Sequence, residues 1–391
     1  MWKRNVYLYY LWSGVSVFWL LTAVLIPFYK SKGLNQFEIQ TIQAVFQLAI
    51  FGLEVPTGII ADRWGRKISL VLGSGLMMLG LLLYPVGYGF WWFAGCEVLL
   101  ALGYTLKSGS NQALLYDSLK QFGQEHTFAK ILSINKVITL TGIMLGAGLG
   151  SFLTGWLSLD QITWVNGLIM GLATVISLFL KEPVIHQEQE VVRLSKIVKE
   201  GLGTIKNNSY LQWMFVGGGW LYSLGYFVIW LYQVKLNHIE VPMKYFGLFH
   251  VMLVLVQIMW FGVWNKMVRI TGEAGYLMGT LLLASTGYVL AGLNQSVMGV
   301  VVWFVLSGML GLTIPEIISV FSQKHINSKV RASVISAFGM IKGLMIAVMN
   351  PIIGWMVDQS LNKGLIIVGI GGVIGTLLLW MKKPVIYERK V

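Results

Sequence analysis

The sequence predicts an all-α integral membrane protein with twelve transmembrane helices in two pseudo-symmetric six-helix bundles. Three observations support this fold class. Of the 391 residues, 56% are hydrophobic and only 12% are charged, whereas soluble domains carry about 25% charged residues. Apolar stretches about as long as one bilayer crossing recur along the whole chain. Several residues also return at one fixed offset, which indicates a duplicated unit.

Twelve stretches are apolar enough and long enough to cross a bilayer, which takes about 20 residues each. The first of them is too long for the core of a signal peptide and lacks a small-residue cleavage site, so it is predicted as a membrane helix. We expect the spans at residues 5–29, 38–60, 68–88, 90–116, 128–153, 162–180, 210–234, 245–268, 274–293, 297–321, 332–357 and 365–381.

Basic residues fall mainly in alternate connections between these spans, and this bias sets the orientation of a membrane protein. With the N-terminus inside, twenty-one Lys and Arg residues lie in cytoplasmic segments or at the cytoplasmic ends of the spans, and five lie in outer segments. We therefore expect a multi-pass protein of the plasma or inner membrane with both termini in the cytoplasm. The net charge of +13 then reflects topology, and no nucleic-acid partner is expected.

A polar stretch near the middle of the chain predicts the domain organisation. We expect an N-terminal six-helix bundle at residues 1–180, a cytoplasmic linker at 181–209 and a C-terminal six-helix bundle at 210–391. Part of the linker, at 191–205, could form an amphipathic helix on the membrane surface.

Two consecutive helices of each half share residues in one register, at an offset of 199 positions. In both copies an acidic residue follows eight positions after a Ser-Gly pair, and a Gly-Trp pair follows later. This agreement predicts a duplicated six-helix unit. The repeated residues are Ser108, Gly109, Asp117, Gly155 and Trp156 in the first half, and Ser307, Gly308, Glu316, Gly354 and Trp355 in the second.

The second span ends in a run of glycines and charges, Gly58-Ile-Ile-Ala-Asp62-Arg63-Trp-Gly65-Arg66-Lys67. The first glycine allows another helix to approach closely, and Gly65 suits a tight turn. Asp62 is unfavourable at a helix C-terminus, so it needs a basic partner or the N-terminus of another helix. The basic residues could serve topology alone, but that interpretation leaves Asp62 and both glycines unexplained.

This run resembles the signature loop between helices 2 and 3 of the major facilitator superfamily. The twelve spans, the central linker and the repeat extend the resemblance over the whole chain. It implies the major facilitator fold and alternating-access transport of a small molecule. It also implies that Asp62, Arg66 and Asp117 form a charge cluster that latches the outward-open state. By the repeat, Glu316 is predicted as a gating residue of the second half, and the alternative is a central proton carrier.

Charged residues inside the spans are functional candidates, because a charge at the bilayer centre costs about 2.5–3.5 kcal/mol on insertion scales. Glu54 and Glu97 are the candidates for proton coupling. Gln40, Gln43, Gln47 and Glu54 share one face of the second helix. This polar face either lines the cavity or forms a buried hydrogen-bonded seam with a neighbouring helix.

The resemblance implies that helices 1, 4, 7 and 10 line a central cavity. Lys107 and Asn111 lie four residues apart on one face of helix 4. Lys107 either contacts an anionic substrate or forms a structural ion pair. An aromatic, weakly charged lining suits amphipathic substrates. The predicted cavity residues are Trp19, Gln47, Lys107, Asn111, Tyr226 and Lys342.

The predicted function is proton-coupled efflux of amphipathic or drug-like compounds, as in the bacterial drug exporters that the chain resembles. The alternative is proton-coupled uptake of a specific nutrient or metabolite, anionic ones included. A receptor or an enzyme is a remote alternative, because no nucleotide-binding loop, HExxH motif or Cys-His cluster occurs and Cys96 is the single cysteine. We expect a monomer whose partners are substrate, protons and lipid, with no cofactor and no metal.

Overall fold

This computed structural model describes residues 2–183, 194–326 and 330–384. Every regular element within those residues is helical. The α-helices are Trp2–Ser16 (α1), Leu25–Ser31 (α2), Gln36–Trp64 (α3), Arg66–Leu83 (α4), Phe90–Lys120 (α5), Phe128–Leu153 (α6), Leu159–Leu178 (α7), Leu194–Lys206 (α8), Ser209–His238 (α9), Phe246–Leu293 (α10), Val297–Trp303 (α11), Leu310–His325 (α12), Arg331–Gln359 (α13) and Leu361–Met381 (α14).

Ten segments of the described residues are long and apolar enough to cross a membrane. One of them, Met243–Leu293, includes α10, which is broken by a non-helical residue at Gly272 and therefore holds two crossings. Helix α5 has 31 residues and also has spanning length, although its embedded charges make it less apolar. The described residues thus provide the twelve crossings that the sequence predicts.

The first predicted span is not one continuous helix. Helix α1 ends at Ser16, and a short 3-10 turn at Leu20–Ala23 precedes α2. The break lies against glycines of α6, which let irregular backbone approach closely. A Cβ atom at Gly146 would lie 2.7 Å from the backbone nitrogen of Trp19, and one at Gly150 would overlap the backbone of Leu20.

The chain divides into two compact units, Met1–Val191 with Val241–Val251 and Val192–Glu240 with Met252–Val391. The short second piece of the first unit contacts α6. The Ser151 hydroxyl donates to the carbonyl oxygen of Met243 at 2.6 Å. The predicted bundle boundaries at 180 and 210 stay a prediction.

Helix α8 covers most of the segment predicted as an amphipathic helix, and residues 191–193 of that prediction lie outside the described residues. Within the second unit this helix packs on α13. A Cβ atom at Gly201 would overlap the backbone of Ser333. The helix therefore lies against its own bundle, and the missing side chain permits that close contact.

Candidate functional site

A tight turn at Gly65 joins α3 to α4, as the charged run predicts. Gly65 has φ +94°, a backbone conformation that suits glycine. The carboxylate of Glu182, just beyond α7, accepts hydrogen bonds from the backbone N–H groups of Arg66 and Lys67 at 2.8 and 2.6 Å. An acid thus caps the N-terminus of α4, where a negative charge is stabilised.

Arg66 crosses from this turn to α5. Its guanidinium forms an ion pair with Asp117 and donates to the carbonyl oxygen of Ala113 at 2.7 Å. The contact brings together two members of the predicted cluster. The side chain of Asp62, the third member, lies outside the described part of the structure. Arg63 is exposed at the end of α3.

The sequence reasoning missed Glu182. The usable signal was its position, because this acid lies four residues after the last helix of the first half and precedes Pro183. The residue lies far along the chain from the motif, so spacing within the motif could not reveal it.

The second unit has a corresponding turn at Gly272, where φ is +70°. The next residue, Glu273, accepts hydrogen bonds from Lys324 at 2.7 Å, from His325 at 3.1 Å and from the Tyr210 hydroxyl at 2.9 Å. Partial burial raises the pKa of this carboxyl, but the bonds from His325, Lys324 and Tyr210 outweigh it and lower the pKa to about 2.

This second turn was also missed, because it carries no recognisable motif. The predicted gating residue of this half, Glu316, is exposed on α12. It interacts electrostatically with Lys342, and its gating role stays a prediction.

Glu97 lies in a closed aromatic pocket of the first unit. Its oxygen Oε1 accepts hydrogen bonds from the hydroxyls of Tyr29 at 2.8 Å and Tyr84 at 2.6 Å, and from the amide of Gln43 at 3.0 Å. The two tyrosine hydroxyls lie 3.0 Å apart. The Phe93 ring stands edge-on to both tyrosines.

Glu97 is only 4% exposed, and all three donors to it are neutral. Within the described residues no Lys, Arg or His forms an ion pair with this carboxyl. A buried carboxylate is costly without a positive partner, whereas its protonated form is much less so. The arrangement therefore suits a group that gains and loses a proton.

The polar face of α3 divides between two environments. Gln40 and Gln43 are buried, Gln47 is half-buried and Glu54 is exposed. Gln43 donates to Glu97 of α5, so at this position the face forms the hydrogen-bonded contact with a neighbouring helix that was one of the two alternatives. The two proton-coupling candidates therefore differ in burial, because Glu97 is buried and Glu54 is exposed.

Lys107 lies in the interior of the first unit, and its contact with a substrate stays a prediction. Its ammonium lies 3.4 Å from the Met77 sulfur and 5.2 Å from the centre of the Trp12 ring. The side chain is 8% exposed and crosses Gly73, where a Cβ atom would lie 2.7 Å from its Cγ. Its interior position, among α1, α4 and α5, arises because Gly73 leaves room for the stem. No acid forms an ion pair with it in the described part of the chain.

Lys342 and the aromatic residues of α9 lie in the second unit. The Lys342 ammonium stands 4.1 Å from the centre of the Tyr222 ring, a cation–π contact. Tyr226 is buried and packs against Phe227 and Trp230. The lining of a substrate cavity by Tyr226 and Lys342 stays a prediction.

The remaining predicted cavity residues belong to the first unit. Trp19 lies at the break of the first span, where its indole N–H donates to the carbonyl oxygen of Ser16 at 3.1 Å. Asn111 is half-buried on α5. Their roles in substrate binding stay predictions. Among the described residues, no group of three or more His, Cys, Asp or Glu side chains could hold a metal ion.

Two curated relatives match part of the chain. A protein of Lactococcus lactis subsp. lactis (strain IL1403), described as a multi-drug resistance efflux pump PmrA homolog, is 24% identical over 227 residues, which cover 55% of this chain and 53% of the relative. The uncharacterized MFS-type transporter YxaM of Bacillus subtilis (strain 168) is 26% identical over 211 residues, covering 52% and 49%. The chain spans about half the length of these relatives.

Solved transporter structures share the fold over nearly the whole chain. The nucleoside transporter NupG superposes with a TM-score of 0.78 at 13% identity, covering 98% of this chain and 99% of that one. A bacterial homolog of the human lysosomal transporter Spinster, in an inward-facing and occupied conformation, gives a TM-score of 0.73 at 11% identity, covering 97% and 96%. The family model of the Major Facilitator Superfamily matches residues 7–349. The chain belongs to the Major Facilitator Superfamily of transporters.

Proposed function

We propose that this transporter is a proton-coupled exporter of amphipathic or drug-like compounds, with Glu97 as its proton-binding carboxyl. The enclosure of Glu97 by Tyr29, Tyr84 and Gln43 carries the proposal. A carboxyl held only by neutral donors can change its charge without breaking an ion pair. The named function of the Lactococcus lactis relative supports the export direction.

Alternating access requires contacts that form in one state of the transporter and break in the other. In the proposed mechanism the Arg66–Asp117 ion pair and the Glu182 cap form such a contact at the turn after α3. Gly58, Arg63 and Lys67 belong to the same motif, and we assign the loop to gating. The protein acts as a monomer in the plasma or inner membrane with both termini in the cytoplasm.

The test is accumulation of a fluorescent lipophilic cation in inverted membrane vesicles with an imposed pH gradient. The wild type is expected to accumulate the cation until a protonophore is added, and Glu97→Gln is expected to behave like vesicles without the transporter. Glu38→Gln is the matched control, because Glu38 belongs to the capping box at the N-terminus of α3. Full accumulation by Glu97→Gln would contradict proton coupling through this residue.

Uptake of a specific anionic nutrient is the second candidate function. The cation–π contact of Lys342 with Tyr222 favours it, because the ammonium lies beside an aromatic ring that could also receive a planar solute. If the wild type moves none of several lipophilic cations but takes up an anionic metabolite in a Lys342-dependent way, this function replaces export.

A further inference from the structure

Helix α3 carries a buried row of amide side chains that leads to Glu97. Gln36, Gln40 and Gln43 follow one another at spacings of four and three, so they share one face of the helix. Their exposed fractions are 1%, 0% and 3%. Gln36 is the first helical residue and follows the exposed Asn35. The row therefore runs inward from the end of the helix.

The two inner members differ in their hydrogen bonds. Gln43 donates to Oε1 of Glu97. Gln40 has no hydrogen-bond partner for its amide oxygen or its amide nitrogen within the described residues. A wholly buried amide with both ends unpaired is rare, because each end loses its hydrogen bonds to water. Native proteins satisfy such groups with buried water.

The distances suit water bridges. With a rise of 1.5 Å per residue, Gln36 and Gln40 lie about 6 Å apart along the axis, and Gln40 and Gln43 about 4.5 Å apart. One water between neighbouring amides spans such gaps. The row could then continue through Gln43 to the carboxyl of Glu97.

The position of Glu97 favours this end of the helices. Glu97 is the eighth residue of α5, whose first residue is Phe90. The next buried residues along α5 are the apolar Leu100 and Ala101. The shortest polar route for a proton from the Glu97 pocket to the protein surface therefore leads toward the connection between α2 and α3.

We propose that Gln40 holds water in a proton path that links Glu97 to the membrane face carrying the α2–α3 connection. This inference rests on the proposed role of Glu97 as the proton-binding group. In the predicted topology that face is the outer one, from which an exporter driven by an inward proton gradient receives its protons. Tyr29 and Tyr84 close the pocket beside the path. Lys32, four residues before Gln36 in the chain, forms an ion pair with Asp160 and donates a hydrogen bond to the carbonyl oxygen of Pro85.

The test follows hydrogen–deuterium exchange of the protonated carboxyl of Glu97 by infrared spectroscopy, with the full chain in lipid nanodiscs. The carboxyl band is assigned by its loss in Glu97→Gln. Gln40→Leu keeps the volume but removes both polar ends, and it is expected to slow the exchange several-fold. Gln40→Met is a second apolar variant in case the first fails to fold. Gln257→Leu makes the same change in α10, where the amide donates to the carbonyl oxygen of Leu253 one turn earlier, and is expected to exchange like the wild type.

The outcomes separate the two proposals. Unchanged exchange in Gln40→Leu and Gln40→Met would overturn the path and leave the role of Glu97 intact. Slowed exchange in a protein without proton-driven transport would support the path and contradict the proposed function. If no carboxyl band of Glu97 appears at any pH, both proposals fail.

Discussion

The turns at Gly65 and Gly272 have the same backbone conformation, but the residues that directly follow the two glycines carry opposite charges. Both glycines have positive φ with extended ψ, at 94° and 155° for Gly65 and at 70° and 167° for Gly272. In the first unit the next residue is Arg66, which pairs with an acid on α5. In the second unit it is Glu273, which pairs with Lys324 and His325 at the end of α12.

The reversal extends to the end of each half. Lys181-Glu182-Pro183 follows α7, whereas Lys382-Lys383-Pro384 closes α14. The first unit thus places an acid where the second has a base. The comparison teaches that the duplicated fold retains the glycine turn and a complementary pair beside it. The order of the charges differs between the two units.

A similar comparison holds at the opposite end of the helices. The ammonium of Lys32 binds Asp160, the second residue of α7, at 2.9 Å. The buried ammonium of Lys235 binds Asn362, the second residue of α14, at 2.8 Å, and Gln295 at 3.2 Å. The lysine is kept in both units, but its carboxylate partner becomes an amide in the second.

The largest expected effect comes from giving the first turn the charge of the second. Arg66→Glu places an acid beside both Asp117 and Glu182, so three carboxylates repel one another and transport in vesicles is expected to fall to background. The double variant Arg66→Glu/Asp117→Lys restores a complementary pair and is expected to recover much of the activity. Lys120→Glu, an equal charge change at the exposed end of α5, is the control. Failure of the double variant, with folded protein present, would show that the sign itself matters.

The two glycines give a second, smaller contrast. Gly65→Ala is expected to lower the free energy of unfolding by about 2 kcal/mol and Gly272→Ala by about 1 kcal/mol. Both changes strain the backbone, but only at Gly65 would the new Cβ contact another group, the Glu182 carboxyl at 3.1 Å. Thermal unfolding of the purified variants measures the difference. Equal losses of unfolding free energy in the two variants would mean that the contact of the new Cβ atom with Glu182 does not destabilise Gly65→Ala further.

The smallest effect is expected at the two lysines. Asp160→Asn gives the first unit the amide partner of the second, and we expect a loss of about 1 kcal/mol, limited because Asp160 is partly exposed. Asn362→Asp supplies a carboxylate to buried Lys235 and is expected to raise the unfolding temperature. A lower unfolding temperature for Asn362→Asp would show that an amide is preferred there.

The sequence predicted the twelve crossings and the contact of Arg66 with Asp117, because hydropathy is local and the motif belongs to a family. It did not predict the break after Ser16, which depends on glycines of α6 more than a hundred positions away. Glu182 and Glu273 were missed for the same reason, since their partners lie far along the chain. The contacts of Lys107 with Met77 and Trp12 were not predicted, because helical spacing tells which residues share a face but not which neighbour that face meets.

The central claim is that Glu97 carries the proton that drives transport. The most direct test adds substrate to purified protein in weakly buffered solution and follows proton release with a pH indicator. We predict that the wild type releases protons on binding and that Glu97→Gln binds substrate but releases none. Equal proton release by the wild type and Glu97→Gln would contradict the account.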